Sequence, residues 1–322
     1  MTIAARIAEA KAPAVDFTVP LGGGLSLESG ERLDRAELRL RVHGALSDPV
    51  VAVAGGISAG RDIADAGASR GWWRDVVAPG GAIDLERFCV VGFDFLPNPQ
   101  ETARTISTDD QARAFGIALD RLGVARLHAF VGASYGGMVG LAFAARFRAR
   151  VGRLCVISAA ERPHPASTAL RGVQRRIVEF ASRCGKPAEG VSLARQLAMI
   201  SYRTVDEFAA RFDHRPGLRA GDPYPVCEYL IARGEAYHMP AARFVTLSDS
   251  IDRHAVDATE IAAAGLFIAV RDDRLVPSAD IRRLADRANG RFVEIASEYG
   301  HDAFLKETGV VGPLIRDFIE EP

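Results

Sequence analysis

Short, nearly continuous runs of apolar residues recur through the first half of the chain and return near its end. Runs without polar alternation are typical of parallel strands buried on both faces. Amphipathic segments separate them; one spans Ser107–Leu122, with acidic residues in its first turn and Gly123 after its last apolar position. This alternation predicts an α/β fold with a mostly parallel sheet and flanking helices. The predicted strands are Glu37–Val42, Val50–Ala54, Phe88–Phe93, Leu127–Val131, Leu154–Ser158, Gly265–Val270 and Arg291–Ile295.

The pattern changes between about Glu161 and Glu260, where strand signal is nearly absent and helical periodicity dominates. A segment rich in proline and glycine, Arg215–Pro225, separates two of the helices. The simplest architecture is one α/β core formed by residues 1–160 and 261–322, with residues 161–260 inserted as a helical lid. Helices are predicted over Thr168–Arg183, Ser192–Met199, Val205–Phe212, Val226–His238 and Ala241–Ser250.

The composition argues against several functional classes. The chain has 322 residues, of which 48% are hydrophobic and 25% charged, and its formal net charge is −1. It therefore lacks the basic excess of a nucleic-acid binder and the low hydrophobicity of a disordered chain. Charged residues interrupt Met1–Pro13, so no signal peptide is expected, and no apolar run is long enough to span a membrane. The four cysteines form no metal-binding pattern, which predicts reduced thiols, a cytoplasmic location and no metal site.

The clearest chemical signal is the segment Gly132–Gly137, GASYGG. It matches G-x-S-x-G and lies between a predicted strand and a helix-like run, which is the setting of a nucleophile elbow. Ser134 would be held there in a strained turn with its hydroxyl exposed. The N–H of Tyr135, at the start of the helix, is a predicted donor to an oxyanion. The alternative is an ordinary structural turn.

A serine nucleophile needs a base, and the base needs an acid to orient it. In this arrangement the acid and the histidine follow the serine in that order. His301 is the only histidine that follows a final strand and a glycine, so it is the predicted base; the alternative is a surface loop histidine. Two adjacent carboxylates follow the preceding strand. The spacing D-x-L-V-P favours Asp273 as the acid and leaves Asp272 as a solvated or capping residue.

A second oxyanion donor should come from the loop after an early strand. The predicted strand Val50–Ala54 is followed by Gly55–Gly60, GGISAG, whose glycines let the backbone approach a substrate oxygen closely. The N–H of Ile57 is the predicted donor, with Gly56 next, and an ordinary glycine turn is the alternative. Together these residues predict a serine-dependent acyl-transfer enzyme of the α/β-hydrolase class. The triad alone does not separate hydrolysis from transfer.

Four further matches carry a family resemblance. Ser134–Met138 is similar to an S-M-G-G-M elbow, Leu193–Thr204 to an L-A-R…T-Y-R-[ST] lid helix, Glu228–Leu230 with Gly234 to E-S-Y-L…G, and Tyr299–Leu305 to G-H-D-A-F-L. These motifs resemble those of the homoserine O-acyltransferases of methionine biosynthesis, and the similarity runs from about Gly55 to Lys306. The elbow is generic, whereas the lid and GHDAFL motifs together are specific.

The resemblance implies roles for particular side chains. Arg203 matches a lid arginine that grips the carboxylate of the amino acid, and Asp302 matches an aspartate that binds its ammonium group. A zwitterion needs one cation and one carboxylate, and a fork-shaped guanidinium suits a carboxylate. Tyr229 would line the same pocket. The alternatives are a helix-surface arginine, an aspartate that only orients its loop, and a tyrosine of the lid core.

Departures from the family pattern bear on the acyl donor. The usual L-T-G oxyanion segment is replaced by Gly56–Ala59, and Gly71–Trp73 with Pro79-Gly80 is similar to a proteobacterial branch associated with succinyl transfer. Succinyl is therefore favoured over acetyl, although Trp72 and Trp73 could instead be packing residues. A succinyl carboxylate would need a cationic side chain as its partner, and the candidates are Arg61, Arg195 and Arg233.

The resemblance also implies a ping-pong mechanism through an acyl-serine, with acyl-CoA as substrate, no cofactor, L-homoserine as acceptor and a homodimer packed through the lids. L-serine differs from homoserine by one methylene, so a pocket separates the two only weakly. L-serine as acceptor, an esterase or thioesterase that uses water, and a non-catalytic binding module are the alternatives.

Overall fold

A mixed eight-stranded sheet forms the centre of the molecule. The computed structural model describes residues 14–34, 36–99, 103–213, 215 and 224–321. The strands are β1 (Val15–Pro20), β2 (Glu37–His43), β3 (Val50–Ala54), β4 (Cys89–Phe93), β5 (Leu127–Ala133), β6 (Val151–Ile157), β7 (Ala264–Val270) and β8 (Arg291–Ile295). They lie in the order β1-β2-β4-β3-β5-β6-β7-β8. The β1–β2 and β2–β4 pairs are antiparallel, and the other five pairs are parallel.

The central strands are apolar because both faces of the sheet are covered. Every residue of β3 and β4 is buried. Within β3, Val51 and Val53 face one half of the core, while Ala52 and Ala54 face the other. Helices cover both sides, and they are α1 (Thr108–Leu122), α2 (Tyr135–Arg146), α3 (Pro165–Arg183), α4 (Pro187–Tyr202), α5 (Val205–Arg211), α6 (Pro225–Glu235), α7 (Ala241–Arg253), α8 (Ser278–Arg287), α9 (Ala303–Lys306) and α10 (Thr308–Glu320).

Helices α3 to α7 lie between β6 and β7 in the chain and form the lid. Within the lid, α3 packs against α4, and α4 packs against α6. The predicted core boundaries at residues 160 and 261 fall in the connections that follow β6 and precede β7. Most of the predicted break Arg215–Pro225 lies outside the described residues, as does all of Met1–Pro13.

The predicted strands and helices occur at their expected places, with shifted ends. Strand β6 begins at Val151 rather than Leu154, because Val151 and Arg153 already pair with β5 and Arg153 also pairs with β7. The helix predicted over Ser107–Leu122 begins at Thr108, since the Ser107 side chain accepts from the Asp110 N–H as an N-cap. Strand β1 was not predicted, although its buried positions alternate in the way of an antiparallel edge strand.

The sequence predicts no membrane-spanning segment, no metal site and reduced cysteines. Within the described part of the chain, no helix combines the length and the apolar character needed to cross a membrane. No group of three or more histidine, cysteine or acidic side chains there is placed to hold a metal ion. The four cysteines carry free thiols, two of them buried and two exposed.

The backbones of β3, β5 and α2 meet with no room for side chains. A Cβ on Gly136 would lie 2.2 Å from the carbonyl oxygen of Ala54, and one on Gly132 would lie 2.4 Å from the carbonyl oxygen of Gly136. The N–H of Gly136 donates to the carbonyl of Gly55 at 2.8 Å. These contacts fix the start of α2 against the loop that follows β3.

We expect Gly136→Ala to destabilise the protein by about 1–3 kcal/mol, because the new methyl group forces backbone atoms apart in a packed core. Urea denaturation measures this change. The matched control is Gly172→Ala on α3, where a Cβ meets nothing within 4 Å. That variant should be neutral or more stable, since alanine favours helix over glycine. Equal stability of the two variants would contradict the packing argument.

Candidate active site

Ser134 lies at the sharp turn between β5 and α2. Its φ of 54° and ψ of −122° place a non-glycine residue in a conformation that is rarely populated. The turn is possible because the neighbouring glycines let the chain double back without a clash. The strained backbone directs the serine side chain away from the sheet and into a cavity under the lid.

A continuous hydrogen-bonded chain links Ser134 to two other predicted residues. The Ser134 hydroxyl lies 2.8 Å from Nε2 of His301, and Nδ1 of His301 lies 2.7 Å from Oδ2 of Asp273. The second carboxylate oxygen of Asp273 accepts from the N–H groups of Leu275 and Val276 at 2.8 and 3.0 Å. The geometry suits proton transfer from the serine to a histidine whose tautomer is set by the aspartate. Asp272, the alternative acid, is exposed and outside this chain of bonds.

The imidazole of His301 is 6% exposed and is held between opposing influences on its pKa. Burial disfavours the charged form and by itself lowers the pKa. The negative charge of Asp273 and the hydrogen bond to it act in the opposite direction and prevail, so the pKa of His301 lies above its usual value. The pair therefore stabilises the imidazolium that forms when the serine loses its proton.

The two predicted oxyanion donors face the same cavity as Ser134. Ile57 and Tyr135 both line it, and neither backbone N–H donates to an acceptor within the described part of the chain. A Cβ on Gly56 would lie 4.0 Å from the Ser134 side chain, so the loop passes directly beside the nucleophile. Two free N–H groups converging next to a serine hydroxyl can stabilise the negative oxygen of a tetrahedral intermediate.

Two tryptophans brace the loop that carries Ile57. The indole N–H of Trp72 donates to the carbonyl of Gly60 at 3.0 Å, and its ring covers Gly55. Trp73 stacks on Trp72 with ring centroids 5.2 Å apart and donates its own N–H to the carbonyl of Phe304 at 2.9 Å. Trp73 thus has a packing role, while Trp72 both packs and reaches the cavity wall.

The cavity has a volume of about 220 Å³ and lies between the carboxyl edge of the sheet and the lid. Asp302 lines it, directly after His301 in the chain. Arg203 does not line it: the guanidinium is 4% exposed and is paired with Glu207 at 3.1 Å and with Asp302 at 3.1 Å. The Nε–H of Arg203 has no hydrogen-bond acceptor among the described residues, because it is not aligned on the Asp302 oxygen.

Tyr229 is not brought to the site. Its ring lies 4.6 Å from the Arg211 guanidinium and 5.2 Å from the Phe212 ring. Tyr229 is not among the described residues that line the cavity. The three arginines predicted as candidates for binding a succinyl carboxylate lie in different places. Arg61 is paired with Asp94 away from the cavity and Arg233 is exposed, so only Arg195 lines the wall.

Several wall residues were not predicted. Tyr202 lies beside His301, with ring centroids 5.7 Å apart, and Tyr237 hydrogen-bonds Ser58 at 3.1 Å. Ser158, Arg171 and Gln174 also line the cavity. Each is a common residue type without a motif, so only the packing of the lid on the core could identify it.

Comparisons with known proteins agree with this geometry. A family model described as alpha/beta hydrolase fold matches residues 49–220. A homoserine O-succinyltransferase from Xanthomonas campestris pv. campestris is 42% identical over 320 residues, covering 96% of this chain and 87% of the relative. A homoserine O-acetyltransferase from Thermus thermophilus is 30% identical over 357 residues, covering 95% and 92%.

Solved structures share the fold at low sequence identity. A homoserine O-acetyltransferase from Bacillus anthracis superposes with a TM-score of 0.89 at 17% identity, covering 96% of this chain and 98% of the other. An esterase, E22, superposes with a TM-score of 0.86, also at 17% identity, covering 95% and 99%. The architecture is therefore compatible with transfer and with hydrolysis.

The pH dependence of activity should report the His301–Asp273 pair. His301 must be neutral to accept the serine proton, so kcat/KM should rise with pH through a pKa above 6.5 and then level off. In Asp273→Asn the negative charge that raises the pKa of His301 is gone, while the burial that lowers this pKa remains. The inflection in the pH profile of kcat/KM should therefore move to lower pH. The plateau should fall by about 10⁴-fold. An inflection at the wild-type pH in the variant would show that another group controls the rate.

Proposed function

Because this chain belongs to the homoserine O-acyltransferases, a family with the α/β-hydrolase fold, we propose that it transfers an acyl group from acyl-CoA to the hydroxyl of L-homoserine, a step of methionine biosynthesis. The observation that carries the proposal is the presence of a complete serine triad and the carboxylate of Asp302 in one lidded cavity. A simple ester hydrolase has no need of a second, partly buried carboxylate beside its base. Acyl-CoA serves as substrate, and the proposal includes no cofactor.

The reaction proceeds in two halves at Ser134. His301 takes the serine proton as Oγ attacks the thioester carbonyl, and the N–H groups of Ile57 and Tyr135 receive the negative charge on the oxygen. The thiolate of CoA leaves with the proton from His301. In the second half, His301 takes the proton of the homoserine γ-hydroxyl as that oxygen attacks the acyl-serine carbonyl. The bond between the acyl group and Oγ of Ser134 then breaks, and His301 returns the proton to Oγ.

Exclusion of water decides between transfer and hydrolysis. Apolar lid side chains form part of the cavity wall, namely Leu170, Ala198, Phe244 and Ile251. An apolar enclosure keeps bulk water from the acyl-serine and strengthens the electrostatic interactions inside it. The esterase and thioesterase alternatives require water to reach the same intermediate.

Binding of the amino acid is assigned to Asp302 and Arg203. Asp302 faces the cavity and would receive the ammonium group, since a carboxylate in a dry site pairs strongly with a cation. Arg203 lies directly behind Asp302 and keeps a buried N–H without an acceptor among the described residues, so it can turn toward the substrate carboxylate. The role of Tyr229 in this pocket has no such support.

Succinyl is the favoured acyl group. The relative named as a homoserine O-succinyltransferase shares 42% of its residues with this chain, against 30% for the Thermus acetyltransferase. L-serine remains the alternative acceptor.

We also propose a cytoplasmic homodimer. The lid exposes large apolar side chains on neighbouring helices, among them Phe180 at 63%, Leu193 at 52% and Val205 at 68%. Apolar residues grouped on one region of a surface are typical of contacts between subunits.

The first test is release of CoA from succinyl-CoA and acetyl-CoA, each with L-homoserine, L-serine or no amino acid. We expect sustained release from succinyl-CoA only when L-homoserine is present, because the acyl-serine is shielded from water. Thiol colorimetry follows the reaction, and Ser134→Ala is the inactive control. Equal release without an amino acid would identify a thioesterase instead.

Replacement of Asp302 should separate acceptor binding from acylation. In Asp302→Asn the ammonium group loses its counter-charge, so the KM for L-homoserine should rise by about 10- to 100-fold, the range for a hydrogen bond to a charged group. The initial burst of CoA from acylation of Ser134 should be retained. Asp272→Asn, which changes an exposed neighbouring carboxylate, is the matched control and should behave as wild type. A lost burst with an unchanged KM would place Asp302 in the acylation step.

A further inference from the structure

Two side chains of the cavity wall have polar groups that the mechanism leaves unused. Ser158 is 0% exposed, and its hydroxyl has no hydrogen-bond partner in the described part of the chain. Gln174 on α3 is 5% exposed, and its amide makes no hydrogen bond to another described residue. Buried polar groups are nearly always hydrogen-bonded, so two unpartnered ones facing the same cavity indicate a polar ligand group.

The backbone places Ser158 beside the nucleophile. Ile157 is in register with Ala133, so Ser158 lies next to Ser134 at the carboxyl edge of the sheet. Its φ of 51° is unusual for a residue other than glycine, and its N–H is held by the carbonyl of Ile268 at 3.0 Å. A strained residue that presents a free hydroxyl to a cavity is more typical of a binding site than of a structural turn.

Arg171 gives the same wall an excess of positive charge. Asp252 pairs with both Arg171 and Arg175 at 2.6 Å, and the three side chains are only 11%, 17% and 8% exposed. Two guanidinium groups therefore share one carboxylate away from water. The Nε–H of Arg171 donates to Asp252, and Nη2 contacts both Thr168 and Asp252. Nη1 of Arg171 has no partner within the described residues. Arg171 lines the cavity and Arg175 does not.

The rest of this region is apolar. Met138, Leu170, Ile251, Leu275 and Val276 line the same cavity as Ser134 and Arg171. An apolar passage with an uncompensated cation suits a short aliphatic chain that ends in an anion. A simple acetyl group would leave the charge and both polar side chains unmatched.

We propose that Arg171, Gln174 and Ser158 bind the terminal carboxylate of a short dicarboxylic acyl group, of which succinyl is the probe, while its other end is bonded to Ser134. This assignment rests on the proposed acyl transfer and adds the residues that select the donor. The Arg171 guanidinium provides the charge, the Gln174 amide and the Ser158 hydroxyl each donate a hydrogen bond, and the apolar wall packs the methylene groups.

Arg195, the other cation of the wall, is less suited to this role. Tyr202 and Tyr237 lie 5.2 and 4.8 Å from its guanidinium, and the side chain is partly open to solvent. Tyr237 is joined to Ser58 of the oxyanion loop, so Arg195 lies toward that loop. The variant Arg195→Met is therefore included in the experiment below.

The experiment compares succinyl-CoA with butyryl-CoA, which has the same number of acyl carbons and no carboxylate. The burst of CoA at Ser134 is measured with and without L-homoserine in the wild type, Arg171→Met, Gln174→Leu, Ser158→Ala and Arg195→Met. Arg176→Met is the matched control, because it removes an exposed guanidinium of the same helix that lies outside the cavity wall and outside the pairing with Asp252.

We expect Arg171→Met to lower kcat/KM for succinyl-CoA by about 10- to 100-fold and to leave butyryl-CoA within about threefold of wild type. Gln174→Leu and Ser158→Ala should each lower succinyl-CoA use by about three- to tenfold with the same selectivity. Arg176→Met should keep the wild-type ratio between the donors. If Arg171→Met does not fold, the other two variants decide the question in the same way.

Three results would overturn the assignment: a wild type that prefers butyryl-CoA, an unchanged donor ratio in the cavity variants, or loss of the ratio in Arg195→Met or Arg176→Met instead. Failure of the proposed acyl transfer would appear differently, as CoA release that ignores L-homoserine. The donor ratio of the burst is read without an acceptor, so the two outcomes are independent.

Discussion

The arrangement of the site depends on one steric constraint, the approach of three backbone segments around Ser134. Strand β5 turns into α2 through a residue with positive φ, and Gly132 and Gly136 allow the turn to lie against the end of β3. The Gly136 N–H is bonded to the Gly55 carbonyl, two residues before Ile57. Ser134 and the N–H groups of Ile57 and Tyr135 are therefore positioned by the same contact. A side chain at either glycine would move all of them together.

The base and the acid are held by loops that the lid also touches. The Ser167 hydroxyl at the start of α3 donates to the carbonyl of Leu275 at 2.7 Å, close to Asp273. At the other end of the lid, the Thr204 hydroxyl donates to the carbonyl of Glu298 in the loop before His301. The lid is thus fastened to the acid loop and to the histidine loop at once. A displacement of the lid would alter the orientation of the imidazole as well as the access of water.

The sequence could predict the parts of this site that depend on local spacing. G-x-S-x-G, the late histidine after a glycine and the glycine-rich loop after β3 are short patterns, and the structure places their residues together. The spacing D-x-L-V-P also favoured Asp273 over Asp272, and the fold adds the physical reason, since His301 and two backbone N–H groups bind Asp273. Arg171 and Tyr229 both lie on amphipathic lid helices. Which of them faces the cavity depends on how those helices rotate against the core, and this information is absent from a local pattern.

The two charged clusters next to the cavity differ in their net charge. Arg203 and Arg211 are paired with Glu207, and Arg203 also with Asp302, so two cations meet two anions. A neutral zwitterion can exchange partners with such a cluster without leaving a net charge buried. Arg171 and Arg175 share only Asp252, so their cluster is electrically incomplete until an anion arrives. Because an unpaired buried charge is unfavourable, the first cluster suits an amino acid and the second suits an acyl group with one carboxylate. A single cavity can then take both substrates in turn, because each is matched to the charge of a different wall.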